Sequence, residues 1–176
     1  MKKLLTLSVL VLSVASFLAV PAFAELKAGD PAPLFQLKAD NGSDFNLESR
    51  KGKWTILYFY PKADTPGCTK QACAYRDSVK KFRDLGAEVY GVSSDDVSAL
   101  VKFKEKHQLN FPLLADPNHE VIDKYGTKMP IIGISKRWTF LIGPELTIRS
   151  VDHNVDPVMD AAKFSAKVKE LQAKKE

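Results

Sequence analysis

Seven consecutive residues, Trp54 to Tyr60 (WTILYFY), are apolar or aromatic except for Thr55. A short run of this kind, rich in β-branched and aromatic side chains, predicts a buried strand. The period changes just downstream. Cys68, Ala72, Tyr75, Val79 and Phe82 recur at spacings of four and three, which is one apolar stripe on a helix. That helix should run to about Leu85 and close at Gly86. Thr65 stands at its N-cap position and Pro66 at its first residue, where a missing N–H costs nothing.

The same reading extends along the chain. Leu34 to Lys38 and Asp44 to Leu47 flank a turn of polar residues and glycine, predicting an N-terminal hairpin. Val89 to Ser93 predicts a strand. Ser94 is the expected cap of a following helix, with Asp95 and Asp96 in its first turn and an end near His107. Pro112 to Ala115 predicts a short strand and Asn118 to Tyr125 a short helix, with Gly126 after it. Residues 127–136 read as a loop. Trp138 to Ile142 and Leu146 to Val151 predict a second hairpin around Gly143, Pro144 and Glu145. A last helix is expected to start at Asp156 and Pro157 and to end near Gln172. Strand and helix alternate, then a hairpin and a helix follow; the class is α/β. There are no internal repeats and no low-complexity linker.

The first 24 residues break this pattern. Lys2 and Lys3 precede an apolar stretch from Leu4 to Val20, and Pro21 to Ala24 ends in an A-x-A site. This is the layout of a secretory signal peptide cut after Ala24, leaving one domain over residues 25–176. The stretch carries Thr6, Ser8, Ser13 and Ser16, which favours cleavage over retention as a membrane anchor. No cysteine lies near the cut, which excludes a lipid-anchored lipoprotein. The expected location is outside the cytoplasm, most simply a periplasm. The formal charge of +5 falls to +3 without Lys2 and Lys3, and the remaining lysines are scattered. With no basic stripe interleaved with aromatics, a nucleic-acid role is not supported.

The chain has 2 cysteines, Cys68 and Cys73. In an exported protein, a cysteine pair most often forms a structural disulfide. Helix geometry argues against that here. Cys73 lies five positions on, ~140° around the helix, with its Cα ~8–9 Å away. A disulfide needs less than about 7 Å, so pairing requires the first turns to unwind. A metal site has no histidine nearby in sequence to complete a ligand set; neither a metal nor a cofactor is expected. Cys68 itself falls in the first helical turn, where free N–H groups and the helix dipole favour an anion. An ordinary thiol is only about 3% thiolate at neutral pH, so a nucleophilic role also calls for a nearby cation. An α/β sheet that sets the Trp138 strand beside this turn would make Arg137 the candidate, with Lys136 one residue away. His107, His119 and His153 are far apart in the chain and read as surface histidines.

Pro61, Thr65 and Cys68 together form P-x-x-x-T-x-x-C, which resembles the peroxiredoxin active site. The segment from Gly67 to Cys73 (GCTKQAC) is similar to the bacterioferritin-comigratory-protein/PrxQ subfamily. The resemblance runs from about Leu26 onward and takes in residues 86–96, 111–116, Arg137 and 154–157. The turn at Gly143 departs from it, since the family commonly carries an Asp-containing glycine turn there. Residues 127–136 match weakly.

The resemblance implies a thioredoxin-like fold with an added N-terminal hairpin. It implies a thiol peroxidase acting on hydrogen peroxide and organic hydroperoxides. Cys68 would be the peroxidatic nucleophile and Cys73 the resolving thiol, recycled by a thioredoxin-like reductant. Arg137 would hold the thiolate and polarise the peroxide. Thr65 would present its hydroxyl to the peroxide, and Pro61 would shield the pocket from water. A resolving cysteine in the same helix removes the catalytic need for a second subunit, so a monomer is expected. The alternatives are an exported thiol–disulfide oxidoreductase on the same fold, disfavoured by the lack of C-x-x-C, and a binding or chaperone-like module with a structural disulfide.

Overall fold

The computed structural model describes residues 25–174. The signal-peptide reading of residues 1–24 therefore lies outside the described residues. Among those described, no helix is long and apolar enough to cross a membrane.

The apolar run forms strand β3 (Trp54–Phe59), and every one of its residues is buried. Its side chains alternate between two cores, as period two requires. Ile56 and Tyr58 face one core, and Leu57 and Phe59 the other. β3 pairs in parallel with β4 (Ala87–Ser93) and antiparallel with β6 (Trp138–Ile142). β4 continues in parallel to β5 (Leu113–Ala115). The N-terminal hairpin, β1 (Gln36–Ala39) and β2 (Asp44–Asn46), adds to the β5 edge, and β7 (Ile148–Asp152) closes the other edge. The order is β2-β1-β5-β4-β3-β6-β7. This is the thioredoxin-like sheet with an added hairpin.

The helices are α1 (Pro66–Asp84), α2 (Val97–His107), α3 (Glu120–Lys124) and α4 (Asp160–Ala173). The predicted stripe of α1 is buried in full, from Cys68 to Phe82. It packs with residues of α2 and α4 in the core that holds Ile56 and Tyr58. At ~1.5–3 kcal/mol for each large apolar side chain, this face anchors the helix whatever its propensity. The opposite core holds Phe35, Tyr125, Trp138 and Phe140. Gly91 on β4 has a spatial reason: a Cβ there would stand 2.6 Å from the Tyr58 ring.

Three helix starts differ from expectation. α2 is capped by Asp96, whose carboxylate accepts from the Ala99 amide at 2.8 Å, not by Ser94. Asp95 is drawn away to accept from the Ala63 amide (2.7 Å) and the Ser93 hydroxyl (2.8 Å). α3 begins two residues late, because buried Asp116 takes the amides of Glu120, Val121 and Ile122. α4 begins at Asp160, because Asp156 instead caps a turn through the amides of Val158 and Met159. In the second hairpin, Leu146 takes a positive φ of 59° and belongs to the turn.

Candidate active site

The site forms where β3 gives way to α1. Pro61 follows the strand, half-buried. Asp64 then adopts φ 60°, a left-handed conformation that costs a non-glycine residue ~1 kcal/mol or more. Side-chain contacts hold it there. Lys106 Nζ donates to Asp64 Oδ2 at 2.6 Å, and Nε2 of His107 lies 2.7 Å from Oδ1. These partners, His107 first, hold the Asp64 carboxyl below the usual carboxylate range. His107 is thus no idle surface residue: it packs edge-on against Phe103 and ties the end of α2 to the motif loop.

Thr65 occupies the N-cap position with extended backbone, but its side chain makes no cap hydrogen bond. Its hydroxyl donates to the Lys62 carbonyl at 3.0 Å, which leaves lone pairs to accept from a ligand. The expected cap bond is therefore absent: the hydroxyl proton is used within the turn. The first helical backbone bond runs from the Thr69 amide to the Thr65 carbonyl at 2.8 Å. The amides of Gly67 and Cys68 are left without an intrahelical acceptor at the positive end of the dipole.

Cys68 is buried at 1% exposure. Cys73 is half-buried and off the core stripe; both cysteines are free. Arg137 Nη2 donates to Cys68 Sγ at 3.3 Å, which brings the predicted nucleophile and cation together. Strand alternation explains why Arg137 does this and Lys136 does not. Arg137, Thr139 and Leu141 face α1, whereas Lys136 sits over the Trp138 ring at 4.4 Å on the other face. Trp138 therefore belongs to the opposite core, away from Cys68. The His153 ring lies tilted against it, with centroids 4.1 Å apart.

Sequence reasoning missed the groups behind Arg137. Arg137 Nη1 donates to Gln71 Oε1 at 2.7 Å. Gln71 Nε2 donates in turn to Asp160 Oδ2 at 2.7 Å. The same oxygen accepts from the Tyr75 hydroxyl (2.8 Å) and the Thr139 hydroxyl (2.8 Å). Burial pushes the Asp160 carboxyl up; the Gln71, Thr139 and Tyr75 donors oppose that shift. Tyr58 lies close to the same groups. Burial, then the neighbouring Tyr60, Cys68 and Asp160, raises its phenol well above the ordinary range and keeps it neutral. Gln71 had a visible signal: it is a polar residue one turn from Cys68 on the stripe side. Asp160 had none, lying 89 residues from Gln71 in sequence. Among the described residues no cluster of three or more His, Cys, Asp or Glu side chains could hold a metal ion.

A buried thiol at a helix N-terminus, with a guanidinium on its sulfur, can act as a nucleophile toward a small polar substrate. Known proteins share this arrangement's sequence frame. The AhpC/TSA family model matches residues 28–151. A chloroplastic peroxiredoxin Q from Suaeda salsa is 41% identical over 132 residues, covering 74% of this chain and 62% of that protein. The chain thus spans less than two thirds of the chloroplastic relatives it matches. A putative peroxiredoxin bcp from Coxiella burnetii is 42% identical over 132 residues, covering 72% of this chain and 87% of that protein. The crystal structure of peroxidoxin BcpB from Mycobacterium tuberculosis superposes with a TM-score of 0.78 at 33% identity, covering 82% of this chain and 97% of that one. On these matches the chain belongs to the AhpC/TSA family, in its peroxiredoxin Q/Bcp branch.

Proposed function

We propose that this chain is an exported two-cysteine thiol peroxidase that reduces hydrogen peroxide and small organic hydroperoxides. The observation that carries the proposal is the Arg137 guanidinium 3.3 Å from the sulfur of buried Cys68 at the start of α1. The names of the relatives, peroxiredoxin Q and peroxiredoxin bcp, support it.

In this mechanism the Cys68 thiolate attacks one peroxide oxygen. An S–O bond forms as the O–O bond breaks, and the departing oxygen takes a proton and leaves as water or an alcohol. Arg137 stabilises negative charge first on sulfur and then on the peroxide oxygens. That second role matters more, because full ionisation of an ordinary thiol gains only about thirtyfold. The Thr65 lone pairs accept from the peroxide O–H and orient it, and Pro61 covers the approach. Cys73 then attacks the sulfenic acid sulfur once the first turns of α1 open, releasing water and forming the Cys68–Cys73 disulfide. A thioredoxin-like dithiol reduces that disulfide by exchange. With both thiols in one helix, a monomer suffices. Export rests on the charged, apolar and A-x-A layout of residues 1–24.

The test mixes reduced protein, recovered from the periplasm of an expressing bacterium, with one equivalent of hydrogen peroxide. Wild type should lose both thiols rapidly, Cys68→Ser neither, and Cys73→Ser only the first. Arg137→Ala should slow the first step at least a hundredfold. The recovered chain should begin at Glu25. Oxidation of wild type no faster than that of free cysteine would reject the peroxidase, and insulin reduction in its place would indicate disulfide exchange. Retention of residues 1–24 would reject the cleaved signal.

A further inference from the structure

The buried chain behind Arg137 has a direction imposed by hydrogen-bond chemistry. A guanidinium only donates, so the Gln71 atom 2.7 Å from Arg137 Nη1 must be the carbonyl oxygen. The Gln71 amide nitrogen therefore faces Asp160 Oδ2 at 2.7 Å, and that oxygen must accept. Asp160 is 1% exposed, and its other oxygen, Oδ1, is buried with no hydrogen-bond partner. Tyr75 and Thr139 also donate to Oδ2, so α1, β6 and α4 converge on one atom. Gln71 lies between Cys68 and Cys73 in α1. An opening of this turn that lets the cysteines meet would break its bonds to Arg137 and Asp160.

We propose that Asp160 is a positioning residue that fixes the Gln71 amide to receive Arg137, thereby aiming the guanidinium at Cys68, and clamps the turn of α1 between the two cysteines. The proposal rests on the peroxidase reading for its first effect only. A carboxylate suits the position because it cannot donate. An asparagine could turn its NH2 group to Gln71, flip that amide, and set two donors against each other at Arg137.

The test compares full-length Asp160→Asn, Gln71→Met and Phe82→Leu. Phe82 lies in the core of the same helix, away from the sulfur. Two quantities are read: the rate of Cys68 oxidation by peroxide in a Cys73→Ser background, and hydrogen exchange of the amides of residues 69–73 in the reduced protein. Asp160→Asn should slow oxidation at least tenfold and speed exchange at least tenfold. Gln71→Met cuts the link at its middle and leaves Asp160 its other donors, so it should reproduce both effects. Phe82→Leu should lower the melting temperature yet leave both quantities within about twofold. Wild-type oxidation and exchange in Asp160→Asn would overturn the proposal, as would wild-type values in Gln71→Met should Asp160→Asn fail to fold. If wild type itself does not react with peroxide, the peroxidase reading falls, and the exchange comparison still decides the clamp.

Discussion

Gly67 shows how little room the thiol's surroundings leave. A Cβ at this position would stand 3.1 Å from Arg137 Nη2, close enough that the guanidinium would have to give by a few tenths of an ångström. Gly67→Ala pits two effects against each other. Alanine favours a helix over glycine by up to about 1 kcal/mol, so the melting temperature should hold or rise. The displaced guanidinium should slow peroxide oxidation of Cys68 severalfold. Stopped-flow kinetics beside thermal melts check this split; a rate equal to wild type would mean that Arg137 has slack. At this scale the sequence was legible wherever chemistry sits in a compact motif. Cys68 and Arg137 meet as expected, since one is placed by helix period and the other by strand alternation. Thr65 stands at the cap position but spends its proton on Lys62. That choice depends on loop geometry set by Asp64, whose left-handed backbone no local pattern announced.

Helix starts were the weakest part of the sequence reading, and the reason is competition among acids. Asp95 serves the Ala63 amide, Asp116 takes three amides of α3, and Asp156 caps a turn ahead of α4. Each acid cluster offers several caps, and tertiary contacts select one. Helix faces were read well, because burial of a whole stripe outweighs any single cap. The far end of α4 gives a pH test. Glu170 lies between Lys167 (2.9 Å) and Lys174 (2.7 Å), and the hydrogen bond from Lys174, then that from Lys167, pulls its carboxyl down to about 2. A depressed carboxyl contributes stability that is present above its unfolded value, near 4.3, and is lost as pH falls toward about 2. The group is exposed, so salt should screen the effect. Carbonyl-detected NMR titration should find Glu170 well below the other exposed glutamates at low ionic strength and close to them in 1 M salt. An unshifted midpoint at low salt would mean that the lysines are not held in place.

Across the whole molecule, the sheet and its two cores followed from the continuous apolar runs, and the site's front followed from one motif. The back of the site was not legible. Gln71 and Asp160 are joined only by the packing of α4 against α1, a contact across 89 residues. That packing also bears on what the molecule would become if the two cysteines paired. A bridge from Cys68 to Cys73 closes a very short loop, so it should restrain the unfolded chain by only ~2 kcal/mol. Against this, α1 loses its opening turns and the Arg137–Gln71 and Gln71–Asp160 bonds, each worth ~1.5–3 kcal/mol where a charge takes part. The oxidised protein should therefore melt several degrees below the reduced one in calorimetry; a higher melting temperature would show that the helix stays closed. Disulfides ordinarily act as staples. Here the bond would act as a wedge, so the protein's exposure to proteolysis would follow how long the bond persists before it is reduced.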